Sequence, residues 1–479
     1  MLKNHLKDRI IEELGYDPTK DQINLIDLLA EFTLDLNMES IMLVKGYAGT
    51  GKTTVMSALV KVLKKNKMRY ILLAPTGRAA KVLSNYSHSP AYTIHKKIYR
   101  QKSGNDSFSS FTLNKNLHSN TLFFVDEASM ISNQSPDSNV FGTGRLLDDL
   151  IEYVYNGKNC RLILIGDTAQ LPPVGLNISP ALDKKVLSDY LFEVQAVTLR
   201  QVVRQSANSG ILVNATAIRE RIANDSKGIP SIQIEGFQDI VPLSGNLLIE
   251  TLTNHYDKDG LNNVLVVCRS NKRANQYNAG IRNQILWREE EISIGDFLMV
   301  VKNNYFWLPE NENTDFIANG DIVEIIRIKN YEEMYGLRFA NVTIRLMDYK
   351  ELEIDVKIML DTLTVEAPAL TMEKSKAFFY SVAEDYAEIR SKKKRWEKIR
   401  ENEYFNALQV KFSYAVTCHK AQGGQWNTVF IDQGFINEER ADKEYLRWLY
   451  TAITRSTQKV YLINFKQDFF PGISLDEYY

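Results

Sequence analysis

The sequence predicts an α/β protein built on two parallel sheets, and three observations carry that prediction. Short apolar runs alternate with helical stretches in the first half, the same alternation returns after about residue 195, and a glycine-rich string joins the first strand to the first helix between strands. Residues 41–45 (IMLVK), 70–74 (YILLA), 121–125 (TLFFV) and 161–165 (RLILI) are apolar runs of strand length, each followed by turn residues. Such runs mark strands covered by helices on both faces. Between the first two, Val55, Met56, Leu59, Val60, Val62 and Leu63 recur at helical spacing, which makes Thr53 to Lys65 the crossover of a βαβ unit. In the second half, LNNVLVVCRS (261–270) reads as a strand entering a polar helix, and VKFSYAVTCHKAQGG and TQKVYLINF supply two further strands. Residues 291–370 differ: DIVEIIRI and ANVTIRLMDYKELEIDVKI alternate apolar with polar positions, as a small antiparallel barrel does. From Glu373 to Asn406 a charged, aromatic-bearing helical region follows, including the basic run SKKKRWEKIR (391–400).

At 479 residues the chain is long enough for roughly three domains of about 150 residues. Apolar residues make up 44% and charged residues 24%, which excludes a disordered or fibrous chain. No run of 18 apolar residues occurs, and Met1 to Arg9 is charged where a signal peptide needs an apolar core, so a cytoplasmic protein with no membrane partner is expected. Lys and Arg number 58 against 59 Asp and Glu, so only local placement of positive charge can indicate a nucleic-acid partner. Cys160, Cys268 and Cys418 lie far apart without a CxxC pair, which argues against disulfides and zinc and leaves them as small apolar filler.

The strongest chemical signal is Gly46-Tyr47-Ala48-Gly49-Thr50-Gly51-Lys52-Thr53, which satisfies GxxxxGK[ST] with a strand before it and a helix after it. Glycines let backbone N–H groups converge on phosphates, Lys52 reaches the β and γ oxygens, and the Thr53 hydroxyl ligates magnesium at a helix N-terminus. ATP and Mg2+ are therefore the expected cofactors, held by Gly46, Ala48, Gly49, Thr50, Gly51, Lys52, Thr53 and Thr54. The strand 121–125 delivers Asp126 to the magnesium shell, and Glu127 beside it orients or deprotonates water.

A bare phosphate loop serves many reactions; the remaining segments decide among them. In order along the chain stand DPTKDQINLI (17–26), the phosphate loop, LLAPTGRAAKVL (72–83), AYTIHKKI (91–98), VDEASM (125–130), LIGDTAQLPPV (164–174), LRQVVRQS (199–206), YAVTCHKAQGGQWNTV (414–429) and WLYTAITRS (448–456). This succession resembles the motifs of superfamily 1 helicases, and within them the RecD and Dda-like branch that moves 5′ to 3′ on single-stranded DNA. The resemblance implies two tandem RecA-like P-loop domains. The first would occupy 1–84 and 119–195 with a pin-type insertion at 85–118, and the second 196–290 and 410–479 with an SH3-like β-barrel and helical extension at 291–409.

The resemblance also implies site residues. Gln22 would read adenine, Gln170 would link the γ-phosphate to the DNA surface, and Arg204 and Arg455 would complete the catalytic set of Lys52 and Glu127. An arginine arriving from a second sheet stabilises transition-state charge only when the gap is closed, which ties closure to ATP. Pro75, Thr76, Thr93 and His95 on one side, and Thr417, His419, Lys420 and Gln422 on the other, match positions that grip the DNA backbone. Ala421 stands where the family often has serine, which removes one phosphate hydrogen bond. In the pin region Lys96, Lys97, Arg100 and Lys102 accompany Tyr92, Tyr99, Phe108 and Phe111, a mixture suited to stacking on bases. The basic run with Lys392 to Arg395, or the neighbouring barrel, is read as touching the displaced or tracked strand.

The expected partners are single-stranded DNA and duplex with a 5′ tail, engaged by a monomer, with replication or recombination proteins nearby. Two other readings stay open: the motor part of an exonuclease complex, and an ATP-gated DNA-binding or remodelling protein that does not unwind. Backbone contacts leave RNA open as well.

Overall fold

The computed structural model describes residues 2–35, 39–101, 111–134, 142–203, 208–308, 316–347 and 352–475. Its first lobe is a six-stranded sheet in the order Ala91–Thr93, Arg69–Ala74, Thr121–Val125, Arg161–Gly166, Ser40–Gly46 and Glu193–Leu199, parallel throughout. Side chains alternate across it: Met42 and Val44 pack against the helices Leu2–Leu14, Lys20–Leu34 and Lys52–Lys65, while Ile41 and Leu43 face the helix Leu146–Tyr155. Burial on both faces is why these strands are apolar at every position. The last strand runs to Leu199, past the boundary at 195, because its backbone pairs in register with the whole of Ser40–Gly46.

The second lobe repeats the plan with five parallel strands, ordered Ala415–Thr417, Val264–Cys268, Trp426–Asp432, Ser456–Ile463 and Ile240–Leu243. Between its parts lies a closed barrel of Phe297–Val300, Ile322–Met334, Leu337–Leu346, Leu352–Met359 and Leu408–Phe412. Its inward residues, among them Leu298, Val300, Val342, Ile344, Val356 and Ile358, share one continuous core with the second lobe. The closing strand extends past residue 409, since Leu298 to Val300 pair with Val410 to Phe412 to shut the barrel. At the junction, fully buried Asp296 is held by Arg282, Arg288 and the Tyr414 hydroxyl, so the buried charge is paired and hydrogen-bonded.

The helices Met372–Glu384 and Lys392–Glu401 pack onto one end of the barrel through Phe378, Val382 and Ile399, against Leu337, Phe339 and Met359. Arg395 is turned inward, donating to the carbonyls of Ala387 and Ile389 at 2.9 Å each, so this member of the basic run caps a turn. In the first lobe's insertion, Tyr99–Gln101 pairs with Phe111–Leu113; Lys102 and Phe108 lie outside the described residues. The stacking role read for Phe111 and Tyr99 is not what their surroundings support. Phe111 is buried against the rings of Tyr305 and Phe316, at 4.3 and 6.5 Å, and the Tyr99 hydroxyl donates to Asp149 at 2.6 Å. Both rings spend their apolar area on packing the insertion. The three cysteines are free and buried. Among the described residues no helix is long and apolar enough to cross a membrane.

Candidate active site and nucleic-acid interface

The phosphate loop turns from the strand Ser40–Gly46 into the helix Lys52–Lys65 through Gly49 and Gly51, at φ +72° and +79°, where side chains are strained. Lys52 folds back over the loop, its Nζ donating to the carbonyls of Gly46 and Tyr47 at 2.5 and 2.9 Å. A Cβ at Gly46 would meet that side chain at 2.7 Å, so glycine is what allows the fold-back.

Opposite the loop stand three carboxylates. Burial and the neighbouring Glu127 hold the Asp126 carboxyl up at about 6, against the pull of Lys52. Burial also raises Asp167, whose carboxylate accepts from the Tyr450 hydroxyl at 2.6 Å and from Ala169 N–H at 2.8 Å. Glu127 adopts φ +52°, a left-handed conformation that costs a non-glycine residue roughly 1 kcal/mol and persists here at a functional position.

Residues of the second lobe complete this cleft. Arg455 is buried, with Nε on Thr451 O at 3.1 Å and an Nη on Gly424 O at 3.2 Å, and its guanidinium lies 3.9 Å from Glu127. Gln170 sits between them, and in the amide orientation that satisfies both neighbours its nitrogen donates to Glu127 Oε2 at 3.2 Å and its carbonyl accepts from Arg455 at 3.1 Å. Tyr450 adds a second bridge by accepting from Ala48 N–H at 2.8 Å while donating to Asp167. Nothing in the sequence marked Tyr450, because its role depends on a partner some 400 positions away.

About 420 Å³ of space is enclosed here, lined by Gly49, Gly51, Lys52, Thr53, Thr54, Asp126, Glu127, Gln170 and Arg455. Arg204 lies outside the described residues. Gln22 is beside the loop but not in the cleft. Fully buried, its carbonyl accepts from Thr19 N–H in a capping box and its amide nitrogen donates to Thr50 O at 3.1 Å and Tyr16 OH at 3.2 Å. These bonds brace the phosphate loop from behind, and the Gln22 carbonyl keeps a second lone pair.

The residues fit a magnesium nucleotide. Among the described residues no group of three metal-ligating side chains occurs, and Thr53 with Asp126 offers two oxygen ligands. Magnesium suits that scarcity, since it takes its remaining ligands from phosphate oxygens and water.

A second cleft, about 430 Å³, runs between the lobes on another side. Pro75, Thr76, Thr93 and His95 from the first lobe and His419, Lys420 and Gln422 from the second line it together. Thr417 stands just outside, lining a small adjoining pocket with Lys420. The hydroxyls of Thr76 and Thr93 accept from Ala79 N–H and Lys96 N–H, both at 3.2 Å, capping the helices Gly77–Ser87 and Ile94–Ile98. A hydroxyl that accepts still has a proton to donate, so capping and phosphate contact are compatible. Burial pushes the His95 imidazole down to about 4, which makes it a neutral group at physiological pH. Burial also lowers the Lys420 amine to about 8, and among the described residues its Nζ has no hydrogen-bond partner. The barrel, which the sequence offered beside the basic run as a strand contact without naming residues, supplies a third wall: Met299, Asn303, Phe316, Ala318, Asn319 and Gly320.

Two parallel α/β lobes, one carrying the phosphate loop and the other an arginine directed at its cleft, define a two-lobed P-loop ATPase with a second interlobe channel. A family model described as an AAA domain matches residues 30–227, and one described as a UvrD-like helicase C-terminal domain matches residues 412–463. A similar protein, an uncharacterized one of Acanthamoeba polyphaga mimivirus, is 24% identical over 92% of this chain and 98% of its own. The ATP-dependent DNA helicase dda of Enterobacteria phage T4 is 23% identical over 88% of this chain and 93% of its own. The ATP-dependent RecD2 DNA helicase of Deinococcus radiodurans is 24% identical over 92% of this chain, which spans 48% of that relative. By these matches the chain is similar to superfamily 1 helicases of the RecD and Dda-like branch, and the two relatives named last are themselves ATP-dependent DNA helicases.

Proposed function

We propose that the protein is a 5′-to-3′ single-stranded DNA translocase that unwinds duplex from a 5′ tail, hydrolysing ATP between its lobes. One observation carries the coupling of the two activities. Gln422, on the wall of the channel, donates to Leu171 O at 2.7 Å, and the next residue back, Gln170, bridges Glu127 and Arg455. Leu171 N–H in turn donates to Thr451 Oγ1 at 2.9 Å, and Thr451 O accepts from Arg455. A strand in the channel and a nucleotide in the cleft therefore act on one short loop, whose Ala169 and Leu171 are packed into the second lobe's core.

In this reading Lys52 and Arg455 hold the γ-phosphate, Glu127 orients the attacking water and accepts its proton, and Gln170 keeps Glu127 and Arg455 in register. Thr53 and Asp126 would hold Mg2+, which when bound neutralises charge on the β- and γ-phosphates. Arg204 would join Arg455 at the phosphates. Strand contacts divide between Pro75, Thr76, Thr93 and His95 on one lobe and Thr417, His419, Lys420 and Gln422 on the other. One grip holds while the other slides as the gap closes and opens. The direction follows the RecD and Dda branch, and the chain acts as a monomer.

The test is ATP hydrolysis with and without single-stranded DNA, followed on the same sample by strand separation of duplexes carrying a 5′ or a 3′ tail. DNA-stimulated hydrolysis with separation of the 5′-tailed duplex alone supports the proposal. Separation of the 3′-tailed duplex overturns the direction. Stimulation without separation of either overturns unwinding by the lone chain and favours a remodeller or a motor subunit awaiting partners.

A further inference from the structure

Tyr450 has no part in the reading above, although it stands where the second lobe meets the tip of the phosphate loop. Three consecutive loop residues are engaged there. Arg219, on the helix Gly210–Ala223, has its guanidinium 4.4 Å from the centre of the Tyr47 ring. Ala48 N–H donates to the Tyr450 hydroxyl at 2.8 Å. Gly49 O accepts from Val203 N–H at 3.0 Å, and a Cβ on Gly49 would come within 2.9 Å of Leu212. Tyr47 and Ala48 thus pack against the core of the second lobe.

The Tyr450 side chain is buried, and its hydroxyl donates to Asp167 at 2.6 Å while accepting from Ala48. Burial and the neighbouring Asp167 push that hydroxyl well up, so it stays a neutral O–H in both bonds. The backbone of the same residue closes the last turn of its helix. Tyr450 O accepts from Thr454 N–H at 3.1 Å and from Thr454 Oγ1 at 2.8 Å, and Arg455 follows directly. Two side chains therefore pin the end of the helix Lys443–Ile453 to the first lobe: Tyr450 to the phosphate loop and Asp167, and Thr451 to Leu171, whose N–H donates to the Thr451 hydroxyl. Ala48 N–H has two claimants. It belongs to a loop whose N–H groups converge on phosphate, and Tyr450 holds it. A charged phosphate oxygen is the stronger acceptor of the two.

We propose that Tyr450 is a positioning residue that exchanges partners with the nucleotide: its hydroxyl holds Ala48 N–H until a phosphate oxygen takes that donor, and the exchange is felt at Arg455 through the end of the shared helix. The hydroxyl thus opposes nucleotide binding by one hydrogen bond and, by anchoring the helix, favours the hydrolysis that follows. An interaction that strains the bound ground state and serves the transition state has a kinetic signature, since its removal lowers KM and kcat together. The proposal rests on the reading of the cleft as an ATP site.

The experiment compares wild type with Y450F, which keeps the ring and removes both hydroxyl bonds, and with T451V, which loosens the same helix without touching Ala48. It reads the Kd of N-methylanthraniloyl-ADP in the presence of Mg2+, and the kcat and KM of ATP hydrolysis at saturating oligothymidine. Y450F should bind the ADP probe about fivefold more tightly, the net worth of one neutral hydrogen bond that no longer competes. Its KM for ATP should fall in parallel, while its kcat falls about tenfold, because Arg455 loses an anchor and small misplacements at a reacting centre are costly. T451V should lose kcat with the Kd of the probe unchanged. Weaker or unchanged probe binding in Y450F, an unchanged kcat in Y450F, or the same pattern in both variants would overturn the exchange alone. Neither probe binding nor hydrolysis in wild type would overturn the reading of the cleft as an ATP site together with it.

Discussion

The nucleotide cleft and the strand channel are bounded by the same two lobes, yet they are assembled on opposite principles. In the cleft the working groups are bonded to one another: Glu127 to Gln170, Gln170 to Arg455, Ala48 through Tyr450 to Asp167. In the channel, Gln422 alone among the named strand-contact residues reaches that network, through Leu171 O, and the others stand side by side. Thr76 and Thr93 are engaged with their own helices, and among the described residues the buried Lys420 amine has no partner. A bonded network is cooperative, so removing one member disturbs the others; independent contacts add, and each loss is small and dependent on salt.

The largest effect should come from Arg455→Ala. It removes the second lobe's charge from the cleft and leaves the Gln170 carbonyl and Gly424 O without their donor. We expect kcat with saturating single-stranded DNA to fall about 10³-fold, in line with arginines that stabilise phosphoryl-transfer transition states. Oligothymidine affinity without nucleotide should change little, and a fall in both would break the separation of the two clefts. Gln170→Ala should follow at about a hundredfold in kcat, the scale of losing one preorganised donor at a charged transition state. Because Gln170 and Arg455 share a hydrogen bond, the double variant should lose less than the product of the single losses. A simple product, measured by steady-state hydrolysis, would mean that the two act separately.

Legibility from sequence divides along the same line. Lys52, Thr53, Asp126 and Glu127 were readable because a phosphate loop and a strand-borne acidic pair are local patterns, with the strand or helix that positions them written beside them. Both parallel sheets were readable for a similar reason, since burial on two faces leaves uninterrupted apolar runs. Gln22 was found as a residue type at the right place, but its amide is taken up by Thr19, Tyr16 and Thr50, and no spacing rule reports a satisfied side chain. Phe111 erred in the other direction: an aromatic beside lysines looks like a base-stacking platform until the Tyr305 and Phe316 rings, from a distant segment, close over it. Tyr450 and the individual residues of the barrel wall were not named because their partners lie in another lobe.

Lys420 makes the channel side of the comparison measurable. Lys420→Met should weaken oligothymidine binding about fivefold and lower the salt slope by about 0.7. The pH dependence has a definite sign. Burial places the amine at about 8, and nearby Lys411 adds to the lowering, so the charged form is lost as pH rises through that value. Affinity should therefore fall between pH 7 and pH 9.5, with the midpoint displaced upward by the bound phosphate. Lys420→Arg should flatten this profile, because a guanidinium stays charged throughout. His95 is already neutral across that range and contributes no step. An unchanged profile in the arginine variant would assign the titration elsewhere, Lys411 being the group with the same lowered value.

The smallest effect tests the barrel wall of the channel. Asn303 lies on the barrel side of the channel, and its Oδ1 accepts from Asn319 N–H at 2.6 Å, which shapes the Asn319–Gly320 turn. Aspartate in its place keeps that acceptor and so keeps the turn, while adding one negative charge to the wall. If the strand runs against the barrel, Asn303→Asp should weaken oligothymidine about threefold at low salt, and the loss should fade as salt rises and screens the new charge. Hydrolysis at saturating DNA should keep its kcat, because among the described residues no barrel residue lines the nucleotide cleft. A loss of kcat with affinity intact would reverse the comparison, making the barrel part of the cooperative network and the channel more than a row of independent contacts.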